Sequence, residues 1–148
     1  MVTISLAGTG CDSAIDRAVP GPQTVTSTSP ELVKEATEFG GWVLPDNAKI
    51  LLVRKEIVRD RKYLMAVEMS PIDLAWMLER SGFRADFRKR YPPIADVTIA
   101  GPDLTTSPNV QSAQDVFQSP TGVGMFRNVL VDERDTDTRI VHIAFRGV

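Results

Sequence analysis

His142 is the single histidine of the chain, and Asp96, Asp103 and Asp132 are the carboxylates that could serve beside it. An imidazole titrates near neutral pH, so one held between a carboxylate and a nucleophile can move a proton in hydrolysis. No Gly-x-Ser-x-Gly nucleophile elbow accompanies it, and the only thiol, Cys11, lies far away near the N-terminus. His142 alternates with Ile140 and Ala144 in a β-rich run. A half-exposed strand position is the plainer reading, a small hydrolase using His142 is the remoter alternative, and no catalytic residue is assigned.

Oxygen ligands recur at Asp132, Glu133, Asp135 and Asp137, an arrangement a calcium ion can use. The central glycine and distal glutamate of a calcium loop are missing, so this stretch reads as a solvated turn. With one cysteine and one histidine, the chain has no intramolecular disulfide and no Cys-rich or multi-histidine metal site. Neither Gly8-Thr9-Gly10 nor Pro120-Thr121-Gly122-Val123-Gly124 carries the lysine of a phosphate loop. No metal and no cofactor are expected.

Basic residues form two clusters, Arg54-Lys55 with Arg59, Arg61 and Lys62, and Arg80, Arg84, Arg88, Lys89 and Arg90. The second is followed by Tyr91 and flanked by Phe83 and Phe87, which makes Arg84, Arg88, Arg90 and Tyr91 the candidate binding residues for a phosphate or an acidic partner. A charged face paired with the protein's own carboxylates is the default reading. The net charge of −2, with Glu79 and Asp86 among the arginines, argues against nucleic acid as a partner.

The elements that must position these groups follow from local pattern. Ser29-Pro30 starts a helix through Leu32, Val33, Ala36 and Phe39 that stops at Gly40-Gly41. Ile50 to Val58 and Tyr63 to Met69 read as an antiparallel hairpin, with Tyr63, Met65, Val67 and Met69 on one face. Ser70-Pro71 caps a second helix to Ser81, closed by Gly82 with Phe83 folding back onto Leu78. Phe126 to Val131 and Arg139 to Phe145 form a second hairpin across a charged turn. From Arg84 to Gly124 no period is sustained, and this irregular stretch is the best location for specific contacts; Val97 to Ile99 suggests a short edge strand and Ser112 to Phe117 a helical turn. The expected fold is α+β, an antiparallel sheet of about four strands in two hairpins with one or two helices on one face.

At 148 residues the chain has the length of one domain, placed at 30–148, and residues 1–29 read as a signal remnant or flexible tether. No apolar run of about 18 residues is present, so no transmembrane helix is expected. Cys11 follows the short apolar run Ile4-Ser5-Leu6-Ala7-Gly8-Thr9-Gly10 and resembles the lipid-bearing cysteine of a bacterial lipoprotein signal. Gly8 stands where that signal has an aliphatic residue, and no Lys or Arg precedes Cys11. An incidental thiol is the competing reading.

Trp42-Val43-Leu44-Pro45-Asp46-Asn47-Ala48, Tyr63 to Ser70 with the helix Ile72 to Ser81, and the run Arg139 to Phe145 together resemble small uncharacterised actinobacterial lipoproteins and secreted proteins. The resemblance covers the domain after Pro30. It implies an exported or membrane-tethered domain with no activity to transfer. The expected function is a non-enzymatic binding or interaction domain for an unknown protein or small molecule, extracytoplasmic and either tethered to the membrane through Cys11 or secreted. The alternatives are an immunity protein neutralising a cognate toxin and a cytoplasmic location.

Overall fold

The alternation of Tyr63, Met65, Val67 and Met69 makes β3 (Arg61–Met69) a strand with one wholly apolar side. Neighbouring strands extend that side in register. Val53 of β2 (Lys49–Ile57) lies opposite Met65, while Phe145, Ile143 and Val141 of β7 (Arg139–Gly147) lie opposite Tyr63, Met65 and Val67. Val129 and Val131 of β6 (Gly124–Glu133) and Ala113 of β5 (Val110–Gln118) continue the rows. Strand β1 (Gln23–Ser27) and the two-residue β4 (Arg88–Lys89) close the edges. The computed structural model describes residues 22–90, 97–120 and 122–147. Among these, seven strands form one antiparallel sheet in the order β1-β2-β3-β7-β6-β5-β4.

Two helices cover the apolar side. The Ser29 hydroxyl accepts from the Leu32 amide to start α1 (Pro30–Gly40), and left-handed Gly41 (φ 69°) ends it. A β-carbon at Gly40 would stand 2.6 Å from the rings of both Trp42 and Phe145, so only glycine lets the helix end approach the sheet this closely. Ser70 caps α2 (Pro71–Arg80), and beyond it the Phe83 amide donates to the Leu78 carbonyl at 2.9 Å. Leu32, Ala36, Met77 and Phe83 meet Val53, Met65, Val67 and Ile143 in the main core. The Tyr63 hydroxyl donates to Glu35 of α1 at 2.8 Å, and burial together with that bond pushes the phenol up to about 12.

The α+β class and both expected helices are present, but the sheet has seven strands where the pattern indicated four. Strand β1 falls inside the span read as a tether, and nearly all of it is exposed, so it carries no apolar alternation to betray it. It is recruited by β2, with Gln23 opposite Ile57 and Ser27 opposite Val53. Strands β4 and β5 fall inside the span read as irregular. Ser112 to Phe117, expected as a helical turn, is part of β5, whose Gln, Ser and Asp residues mask its period. Val97 to Ile99 is not a strand; it enters a strap, residues 97–108, that lies across the other side of the sheet.

Arg127 locks the layers together. It is 1% exposed, and its guanidinium holds Asp115 through Nε–Oδ1 at 2.9 Å and Nη2–Oδ2 at 2.5 Å. Nη1 donates to the carbonyls of Ser81 at 2.9 Å and Gly40 at 3.3 Å, the C-terminal ends of α2 and α1. The rings of Phe117 and Trp42 lie 4.2 and 4.6 Å from the guanidinium carbon.

Removing one member of such a pair leaves an uncompensated buried charge. Arg127→Met or Asp115→Leu alone is expected to cost about 3–5 kcal/mol in urea unfolding. The double variant should cost clearly less than the sum of the singles, and strict additivity would show that the pair is not coupled.

Candidate functional site

The strap side of the sheet divides into a covered half and an open half. In the covered half, Leu104 and Val97 of the strap pack on Val110 and Leu130. Gly101 (φ 92°) crosses so close that an added β-carbon would lie 3.3 Å from Ile140 and 3.8 Å from His142. A bulge at Leu51, between Ile50 opposite Val67 and Leu52 opposite Ala66, brings that side chain to the same crossing.

Charged groups pin the strap. Asp132 is fully buried; its carboxylate accepts a very short hydrogen bond from the Ser107 hydroxyl and one from Arg134 Nε at 2.6 Å. Arg134 also donates to Thr106 Oγ1 and to the Asp103 carbonyl, both at 2.6 Å. The Asp103 carboxylate accepts from the amide and hydroxyl of Thr105, and these bonds hold it below the usual carboxylate range. Two carboxylates expected near His142 are thus committed to the strap, and Asp96 lies outside the described residues.

His142 is fully buried, not half-exposed as its alternation suggested. Among the described residues neither ring nitrogen has a hydrogen-bond partner. Burial lowers its pKa to about 4; the charge of Asp132 pulls upward, and that of Arg134 adds to the lowering. Ser107 donates to Asp132 rather than to the imidazole, so serine, histidine and aspartate are near one another without forming a relay. Their arrangement clamps a loop. At the turn itself Asp135 accepts from the amides of Asp137 and Thr138, and Glu133 accepts from Gln111 Nε2 at 3.0 Å.

The open half contains a hollow of about 470 Å³. Its lining includes Lys62, Arg146, Phe126, Asn128, Gln114 and Ala144, with Val97 at the strap end. Register explains the assembly: Lys62 of β3 lies opposite Arg146 of β7, which lies opposite Phe126 of β6. In the next row Ala144 lies opposite Asn128, which lies opposite Gln114 of β5. Arg146 stacks over Phe126 at 5.5 Å, and the ring remains 43% exposed. Among the described residues Lys62 and Arg146 form no ion pair, and the side-chain amides of Asn128 and Gln114 form no hydrogen bond. Glu56, opposite Lys62 on β2, lies instead 3.9 Å from Arg54.

The sequence candidates lie elsewhere. Arg84, Arg88 and Arg90 are exposed on the segment after α2 and along β4, lining neither this hollow nor a smaller apolar one between α2 and Phe87. Tyr91 and Cys11 lie outside the described residues. Of the basic residues noted in the sequence, only Lys62 reaches the hollow. Arg146, Phe126, Asn128 and Gln114 were missed as a group because only the strand register brings them together.

These features define an α+β domain with helices on one sheet face and a strap and basic hollow on the other. Compared with known proteins, the chain matches no family model, no curated protein and no solved structure. No helix among the described residues is long and apolar enough to cross a membrane.

The buried imidazole gives a pH signature. An unfolded histidine takes up its proton near 6.5 and the folded one only near 4, so between these values the unfolded chain binds more protons. Stability should therefore fall as the pH drops through that window, by roughly 3 kcal/mol in all. His142→Leu should flatten this part of the profile and cost little at neutral pH, since it removes two unpaired buried nitrogens. Chemical denaturation at stepped pH checks this, and an unchanged slope in the variant would assign the dependence to other groups.

Proposed function

We propose that this chain is a non-enzymatic binding domain whose ligand occupies the hollow on the strap side of the sheet. One observation carries the reading: Lys62 and Arg146 stand directly opposite each other on neighbouring strands, and among the described residues no carboxylate is paired to either. Like charges so placed cost stability in the free protein, and a bound group with acceptor oxygens would reverse that cost. Unbonded amides and an exposed ring beside them supply orientation and contact area, as in small-molecule sites generally.

A chemically diverse fragment set, followed by two-dimensional amide NMR on the full chain, tests the reading. Binding should shift the amide signals of Gln114, Asn128 and Ala144, and a set in which no fragment moves them would overturn it. Lys62→Gln should raise the unfolding free energy of the free protein by a few tenths of a kcal/mol, as relief of the opposed charges requires.

The cellular setting we propose is an extracytoplasmic membrane surface, with lipid on Cys11 as the tether. Metabolic labelling with a palmitate analogue should mark the wild-type chain and not Cys11→Ala. An unlabelled wild-type chain would remove the tether and leave the binding reading intact.

A further inference from the structure

We propose that the hollow takes a small planar aromatic anion, its ring on Phe126 and its negative group between Lys62 and Arg146. This rests on the binding reading above and names the chemistry of the ligand. The charge requirement comes from register, since Lys62 and Arg146 are opposite neighbours whose nearest acid in the row, Glu56, lies by Arg54. A guanidinium and an ammonium side by side offer both a planar fork and a point charge to carboxylate or phosphate oxygens.

The ring requirement comes from Phe126. Its face is already used by the planar guanidinium of Arg146 at 5.5 Å, yet 43% of the residue stays exposed, leaving room for a second flat group. Ala144 and Val97 add an apolar border, and the free amides of Asn128 and Gln114 offer donors and acceptors to a polar ring substituent. A bare inorganic anion would leave the apolar part of the hollow unused.

Size and position exclude larger occupants. A volume of about 470 Å³ is that of a small-molecule site. The hollow sits over β3, β7, β6 and β5; β3, β7 and β6 are paired on both sides, so a peptide could extend the sheet only along β5 beyond its two-residue pairing with β4, outside the strands that hold Lys62, Arg146 and Phe126. Single-stranded nucleic acid requires successive aromatic platforms, and among the described residues register sets only Phe126 and the fully buried His142 as aromatic side chains on this side. Asp115 and Arg127, which also line the hollow, pair with each other through their side chains, so their charges offset.

Calorimetric titration and two-dimensional amide NMR of the full chain with naphthoate, naphthamide, cyclohexanecarboxylate, adenosine monophosphate and inorganic phosphate test the proposal. Naphthoate or adenosine monophosphate should bind with shifts at the Asn128 and Gln114 amides, and which of them is tighter identifies carboxylate or phosphate as the source of the charge. Naphthamide should bind at least about tenfold more weakly than naphthoate, the loss of one charge-assisted contact. Arg146→Ala and Lys62→Ala should each weaken the anions by a similar factor, whereas Arg59→Ala should not.

Equal binding of naphthamide and naphthoate would overturn the charge requirement. Equal binding of cyclohexanecarboxylate or inorganic phosphate would overturn the ring requirement. These comparisons use the wild-type chain, so they stand even if a variant folds poorly. Should neither aromatic anion bind while uncharged fragments still shift Asn128 and Gln114, this proposal falls and the binding reading survives; silence from every compound removes both.

Discussion

Both helices end on the same guanidinium, and that convergence sets how the two layers meet. The last carbonyls of a helix lack partners within it and carry the negative end of its dipole. Arg127 answers this for α1 at Gly40 and for α2 at Ser81, while Asp115 neutralises its charge from the adjacent strand. Phe117 and Trp42 stack against it, and Gly41 is left-handed and too close to Phe117 for any β-carbon. Helix ends, strand pairing and aromatic packing thus share one buried group. A change at any of them is transmitted to the rest.

The constraint reaches the opposite face through the period of the strands. Side chains alternate across a sheet, so fixing Arg127 on β6 fixes Phe126 and Asn128 on the other side, and fixing Asp115 on β5 fixes Gln114. Half of that face is then closed by the strap, which Arg134, Asp132 and Ser107 hold down over His142. In the half left open, among the described residues, Lys62 and Arg146 form no ion pair and the side-chain amides of Asn128 and Gln114 form no hydrogen bond. A rigid floor with unpaired polar groups is the condition under which binding costs least in ordering.

The parts legible in the sequence were those that punctuation and alternation specify locally. Ser29-Pro30, Ser70-Pro71 and Gly82-Phe83 announce helix ends through capping chemistry that operates within a few residues, and the strands around Met65 and Ile143 alternate cleanly because one face is buried. Strand β1 is exposed and polar, so it forms only because β2 offers an edge. Strand β5 carries Gln111, Asp115 and Gln118 among its apolar residues, and its period shows only when set against β6. The site was less legible still. The dense run Arg84 to Arg90 drew attention because its charges are neighbours in sequence, whereas Lys62 and Arg146 become neighbours only through the pairing of β3 with β7.

That pairing also explains why composition misleads here. A net charge of −2 describes the whole surface, and an acidic envelope does not prevent two cations from standing together where, among the described residues, no acid pairs with them. Two like charges held on adjacent strands of one concave face sum their fields more than the same charges dispersed along a loop. The arginines after α2 stand on a loop and on the two-residue β4, and none borders the hollow on the strap side. Placement on neighbouring strands, rather than the number of basic residues, is what sets Lys62 and Arg146 side by side at the hollow.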